Sequence, residues 1–475
     1  MRYAVLNLLL AIILSLNIFI WQSPVLGVVC GVLFLGLSSW LVDKKNLIFG
    51  LLKFLSIIVI VLSVIYYFYE LNDFIIVGFL VLFGFVILWM SSRAKRWDPE
   101  EKRIHYSTGS HRLDPFLKVL SRLGMTKSIF LIVVYLLLLT TTYFFLEQGS
   151  TLESVRTPWA LVSKWFFVLY FITSAWLIFV IMRLKAVPAL ILSSLHLFFT
   201  FSIVNIIFPL GFGYDPFIHQ ATEKYILERG FILPKPFYYL GQYSLVIFFT
   251  KIFHISHTII DKNLVPLLSS ILLPMSIYFV FKDKKSLITH YSLLITFLFL
   301  LIPFSILTFT TPQNLADLLV IILAFLGLSY LLKHKPPIYF LTLLAVAILF
   351  IHPIAGLAGI IFIFILWLNK LNIQTWLRRL SYVFLCFSAP IAFALLSFVS
   401  RFKVGWVNNF NLVDFFNNSF RFFPDLYLNT LLRQGYGGQA NFVHLITTIA
   451  YFLWQPLVIF LVILFLSFLS IKYFK

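Results

Sequence analysis

The chain has 475 residues, of which 61% are hydrophobic and 11% charged, and it carries a formal net charge of +19. Soluble domains hold roughly 45–50% apolar and about 25% charged residues. A mean hydropathy of +1.00 therefore excludes an ordinary soluble domain and implies an all-α polytopic membrane protein. The two cysteines, Cys30 and Cys386, lie inside apolar runs, so neither a disulfide framework nor a Cys-rich metal motif is implied. The positive charge sits in short loops between apolar segments and no basic face is interleaved with aromatics, so a nucleic-acid partner is not expected.

A helix that crosses a bilayer needs about 20 apolar residues. Segments of that kind fall at 4–21, 25–42, 47–69, 74–91, 129–146, 159–182, 187–209, 260–281, 286–303, 313–332, 337–352, 353–369, 380–400 and 443–470, about fourteen in all. The first could pass for a signal peptide, but no small-residue cleavage site follows it, and it is read as a span. A four-span region and a basic linker occupy 1–128, and a larger membrane domain occupies 129–475.

Orientation follows from the Lys and Arg bias. Lys44 and Lys45, the 93–127 linker, Arg183 and Lys185, Lys282 to Lys285, Lys333 and Lys335, Lys370 with Arg378 and Arg379, and Lys472 with Lys475 share one side if both termini are cytoplasmic. The expected location is a plasma (inner) membrane. Lys53 lies inside a span near its cytoplasmic end, where it can snorkel. The segment 237–255 is apolar enough to span, yet counting it would invert every basic cluster downstream. It is therefore placed as an interfacial or partly inserted helix on the non-cytoplasmic side. That side then carries two large loops, at about 209–261 and 401–440.

The first of these loops contains 211–230, GFGYDPFIHQATEKYILERG, the densest polar run outside the linker. Asp215 followed by Pro216 reads as a helix start, with Asp as the N-cap, and Gly230 as the stop. Ile218, Ala221, Thr222, Tyr225 and Ile226 would line one face of an amphipathic helix lying on the membrane surface. Asp215, His219 and Glu223 recur at i, i+4 and i+8 on another side. From the residues alone, two readings stay open: a capped and solvated surface helix, or a reactive carboxylate with an imidazole one turn away. Pro234, Pro236, Tyr238 and Tyr239 follow, and then a Gly241–Gln242 pair leads into an apolar helix.

This order of features resembles the GT-C-fold glycosyltransferases that use polyprenyl-phosphate-linked sugars, such as the oligosaccharyltransferase catalytic subunit and the protein mannosyltransferases. The resemblance covers about 187–400 and implies a module with surface helices in its first outer loop. The acceptor is left undecided among glycan, lipid and protein. Two departures matter: the family often pairs two acidic residues where this chain has Asp215 alone, and the tryptophan-rich motif of oligosaccharyltransferases is missing.

The resemblance implies that Asp215 is catalytic, acting as the base toward the acceptor, with His219 orienting it or contacting phosphate. Glu223, Tyr239 and Gln242 join it as substrate-binding candidates. Asp317 joins them as the acidic residue placed inside a span. Arg401 and Lys403 are cations on the far side from the basic clusters; they could hold a leaving phosphate or anchor lipid headgroups. His352–Pro353 reads as a tight turn between spans, and His196 as a satisfied buried histidine. No cofactor is certain. A divalent metal on Asp215 with Glu223 or Asp317 stays open, although hard cations ask for more oxygen ligands than these supply. The competing expectations are a lipid-linked saccharide transporter or flippase, whose polar residues should lie near mid-membrane, and a non-catalytic envelope-assembly protein.

Overall fold

The computed structural model describes residues 1–94, 123–153, 155, 158–233, 238–281, 307–333, 336–370, 376–377 and 380. By backbone contacts the chain forms two compact units, Met1–Thr296 with Ile306–Ser388, and Phe297–Ser305 with Ala389–Lys475. The second lies outside the described residues, as do the expected spans 286–303, 380–400 and 443–470, the 401–440 loop, Arg401 and Lys403.

Every regular element among the described residues is helical. In chain order they are α1 (Arg2–Leu16), α2 (Pro24–Val42), α3 (Leu47–Phe68), α4 (Asp73–Ala94), α5 (Leu123–Glu147), α6 (Lys164–Ile181), α7 (Ala186–Phe201), α8 (Ile203–Ile207), α9 (Asp215–Arg229), α10 (Leu240–Phe253), α11 (His257–Phe281), α12 (Pro312–Lys333), α13 (Ile338–Ile351) and α14 (Pro353–Lys370). Among the described residues eight helices are long and apolar enough to cross a membrane: α1 with its π-turn to Trp21, α2 to α6, α11 and α12. A multi-pass membrane protein follows. The segment expected to span at 187–209 is instead broken at Ser202 into α7 and the five-residue α8.

The first four helices pack through aromatic rings. Phe34 of α2, Phe54 of α3 and Phe83 of α4 meet edge-on or tilted, with centroids 4.6–6.4 Å apart. Phe79 carries the contact across to Phe248 of α10 at 5.8 Å. Lys53 reaches out of α3 to pair with Asp43 in the α2–α3 loop at 2.8 Å and lies over the Phe340 ring, in keeping with a snorkelling lysine.

Helix α10 is the most deeply buried of the short helices. Residues Leu240 to Phe249 are all buried, wedged between α2, α3, α11 and α13. Its 14 residues rise about 21 Å, short of the roughly 30 Å of hydrocarbon that a span must cross. Of the two expected placements, interfacial or partly inserted, its burial among other helices fits the second. Gly241 permits its deepest contact, since a Cβ there would stand 2.5 Å from Ile351 Cγ1 and 2.9 Å from Val59 Cγ1. Its far end is tied to the start of α4 by Lys251–Asp73 at 2.6 Å. Helices α13 and α14 form a hairpin with its apex at His352 and Pro353. That apex stops part-way along α3: Phe340 sits beside Phe49 near the first turn of α3, whereas Ile351 reaches Gly241 beside Val59.

Candidate functional site

Helix α9 starts and stops where the sequence places it. Pro216 occupies its first turn, and Gly230 ends it in the left-handed region at φ 80°. The cap does not hold as expected. Tyr214 occupies the N-cap position and Asp215 is the first helical residue, without a capping bond. A carboxylate there still favours the positive end of the helix dipole. The C-terminal end of the helix is fixed from outside: the Leu71 amide donates to the Gly230 carbonyl at 2.8 Å, and the Ile232 amide to Tyr66 Oη at 2.9 Å. The helix thus lies where α3 ends and α4 begins.

Its polar and apolar residues lie on different sides as expected, except that Ile226 is buried. Phe217, Ile218, Ala221 and Tyr225 are exposed, while His219, Gln220 and Glu223 are buried. Here the interior offers polar partners on α10 and α11, and the helix turns its polar side toward them.

Those partners form one network. Gln242 of α10, fully buried, donates from Nε2 to Glu223 Oε1 at 3.1 Å and to Asp261 Oδ1 at 3.2 Å. Gln220 donates from Nε2 to Asp261 Oδ2 at 2.9 Å. Glu223 and Asp261 both have no exposed surface. Burial pushes the Glu223 carboxyl well above the usual carboxylate range; the neighbouring charge of Asp261 adds to the shift, and the Gln242 hydrogen bond opposes it.

One turn toward the N-terminus lies an aromatic and imidazole group. His219 Nδ1 is 2.8 Å from Tyr243 Oη, and its Nε2 is 3.6 Å from Asp215 Oδ2. Burial pulls the His219 imidazole below its ordinary value, against the opposing pull of the Asp215 carboxylate. The Tyr239 ring stands edge-on to His219 at 5.3 Å and stacks on His352 at 5.7 Å, with the planes 19° apart. Tyr239 holds this place from the left-handed region, φ 73°, a conformation that costs a non-glycine residue about 1 kcal/mol or more. His352 is drawn below its ordinary value by burial and by His219.

The structure therefore brings Asp215, His219, Glu223, Tyr239 and Gln242 into one neighbourhood. Asp317 is not joined to it among the described residues; it lies on α12, hydrogen-bonded to Gln313 one turn back. Nor is Asp317 the one acidic residue within a span, because Asp261 lies fully buried within α11. His352 is more than a turn residue, since it stacks on the site. His196 is buried as expected and meets Ser174 at 3.0 Å. Sequence reasoning missed Gln220, Tyr243, Asp261 and the part played by His352. Only Asp261 had a signal: a carboxylate in the second turn of an apolar span.

No protein family matches the chain, and neither the curated proteins nor the solved structures contain a significant match to it.

Proposed function

We propose that this protein is a membrane glycosyltransferase that moves a sugar from a polyprenyl-phosphate carrier to an acceptor at the non-cytoplasmic face. One observation carries the reading. An exposed carboxylate, Asp215, stands 3.6 Å from a histidine that is itself buried and held by Tyr243 and Tyr239, on a helix set among membrane spans.

The chemistry asks for a base that can reach an acceptor arriving from water. Asp215 is accessible, with 66% of its side chain exposed. With Tyr243 donating to Nδ1, the neutral His219 carries its proton on Nε2, facing Asp215. That proton orients the carboxylate, leaving its other oxygen to take the acceptor proton. The acceptor oxygen or nitrogen then bonds to the anomeric carbon. The bond from that carbon to the phosphate oxygen breaks, and the electron pair leaves with the lipid phosphate. A cation must balance the charge on that phosphate as it leaves. The basic clusters of the sequence support a position for this end of the bundle outside the cytoplasm of an inner-membrane protein.

The test is a transfer assay in membranes containing a labelled polyprenyl-phosphate sugar, comparing wild type with Asp215→Asn. Wild type should transfer, and the variant should lose about 100-fold or more. Equal transfer by both would remove Asp215 from catalysis.

One observation favours a second reading. Two carboxylates, Glu223 and Asp261, lie buried within the bundle, as in a protein that moves a lipid-linked saccharide across the membrane. Protein-dependent movement of a labelled lipid-linked sugar between leaflets of reconstituted vesicles, without transfer, would select it.

A further inference from the structure

We propose that Glu223, Asp261 and Gln242 form a binding site for one divalent cation of the size of Mg2+ or Mn2+, distinct from Asp215.

Three observations lead there. Glu223 and Asp261 come from different helices and approach the same amide with no exposed surface, and the donors facing them in the network, Gln220 and Gln242, are neutral. Two buried carboxylates without a cation are strongly unfavourable, and a dication balances both at once.

Two buried acceptors also meet no donor among the described residues: Glu223 Oε2 and the carbonyl oxygen Oε1 of Gln242, a side chain that itself reaches between the carboxylates. An amide oxygen and an amide nitrogen have nearly the same shape, and which one faces inward is decided by what it faces. A half-turn of the Gln242 amide puts Oε1 where Nε2 now is, beside Glu223 Oε1 and Asp261 Oδ1.

The spacing suits a small cation. The amide atom lies 3.1 Å and 3.2 Å from the two carboxylate oxygens. Neighbouring oxygens around an octahedral ion bound at about 2.1 Å are about 3.0 Å apart. Glu223 Oε1 and Oε2, Asp261 Oδ1 and Gln242 Oε1 supply oxygen ligands, and water completes the shell, as is usual for Mg2+. Gln220 holds the remaining oxygen of Asp261 from behind and fixes its orientation.

The occupied site would clamp α9, α10 and α11 to one another, and so set the position of His219, which is on the same helix as Glu223. It does not depend on glycosyl transfer, and its test requires no turnover.

Full-length protein in detergent, stripped with chelator, is titrated with Mn2+ and bound ion is counted by electron paramagnetic resonance. Wild type should hold one Mn2+ per chain, displaced by Mg2+, and its thermal midpoint should rise as the ion binds. Glu223→Gln and Asp261→Asn should each weaken binding by at least about tenfold and lose the thermal shift. Asp215→Asn should bind as wild type does. Without metal, Glu223→Gln should unfold no lower than wild type, because it removes one of two buried like charges and its amide oxygen can still accept from Gln242. The proposal is overturned if wild type holds no Mn2+ below millimolar concentration, as it would if the two carboxyls merely shared a proton. Loss of binding in Asp215→Asn as severe as in Glu223→Gln overturns it equally. Should a carboxylate variant fail to fold, the wild-type count and the Asp215→Asn result still decide the matter.

Discussion

The ring cluster of α2, α3 and α4 and the polar layer between α9, α10 and α11 are both buried, and both involve α10. They are held by different forces. In the ring cluster, Phe34, Phe54, Phe79 and Phe83 gain from contact area and tolerate a range of tilts, from stacked to edge-on. In the polar layer each partner has an assigned direction: Gln242 bridges two carboxylates, and His219 faces Tyr243 on one nitrogen and Asp215 on the other. The first region supplies a rigid wall at low risk. The second is costly if any member is lost, and costs of that kind are typical of functional sites.

The largest effect on stability should come from the wall. Phe54 is fully buried, and Phe54→Ala should destabilise the protein by about 4 kcal/mol, read by denaturant titration in detergent. Loss of well under 1 kcal/mol would show that the rings are loosely packed and weaken the contrast. Gln242→Leu comes next. It keeps the volume but strips the donor from both carboxylates, and about 3 kcal/mol should be lost. A neutral result would mean that the polar layer is not a cooperative network.

Acidity separates the regions further. In chelator, the folded state binds more protons than the unfolded chain in the window between the ordinary carboxylate range and the raised one of Glu223. Stability therefore falls as pH rises through that window, and no such loss occurs below it, where both states are protonated. Glu223→Gln should flatten this fall, whereas Phe54→Ala should lower the whole curve and leave its slope unchanged. An unchanged slope in Glu223→Gln would place the titrating group elsewhere. The smallest effect belongs to Ser63→Ala. Ser63 meets Ser244 at 3.5 Å where α10 passes α3, a long contact whose loss should cost about 0.5 kcal/mol.

The sequence revealed these regions unequally. Length and hydropathy were enough to place α2, α3, α4, α11 and α12, because a span must be about 20 residues of apolar chain. Pro216 and Gly230 were enough to bound α9, because each acts on the backbone locally. Its orientation was not legible. Helix α9 turns His219 and Glu223 inward to partners that local sequence does not reveal. Asp261 reaches Gln220 across 41 residues of chain, and His352 reaches Tyr239 through the apex of a hairpin. The burial of α10 was legible only as one of two alternatives, because charge bias counts crossings and does not report how deep a helix sits.

The proposed place of α9 at the non-cytoplasmic face, with Asp215 exposed and Gln220 turned inward, is tested most directly by labelling. In cells expressing a Cys30→Ala, Cys386→Ala background, Asp215→Cys and Gln220→Cys are each treated from outside with a membrane-impermeant maleimide. Position 215 should react readily in intact cells, being exposed at the start of the helix, and position 220, only 8% exposed, should be protected. Reaction at 215 only after the membrane is opened, or equal reaction at both positions, would contradict the account.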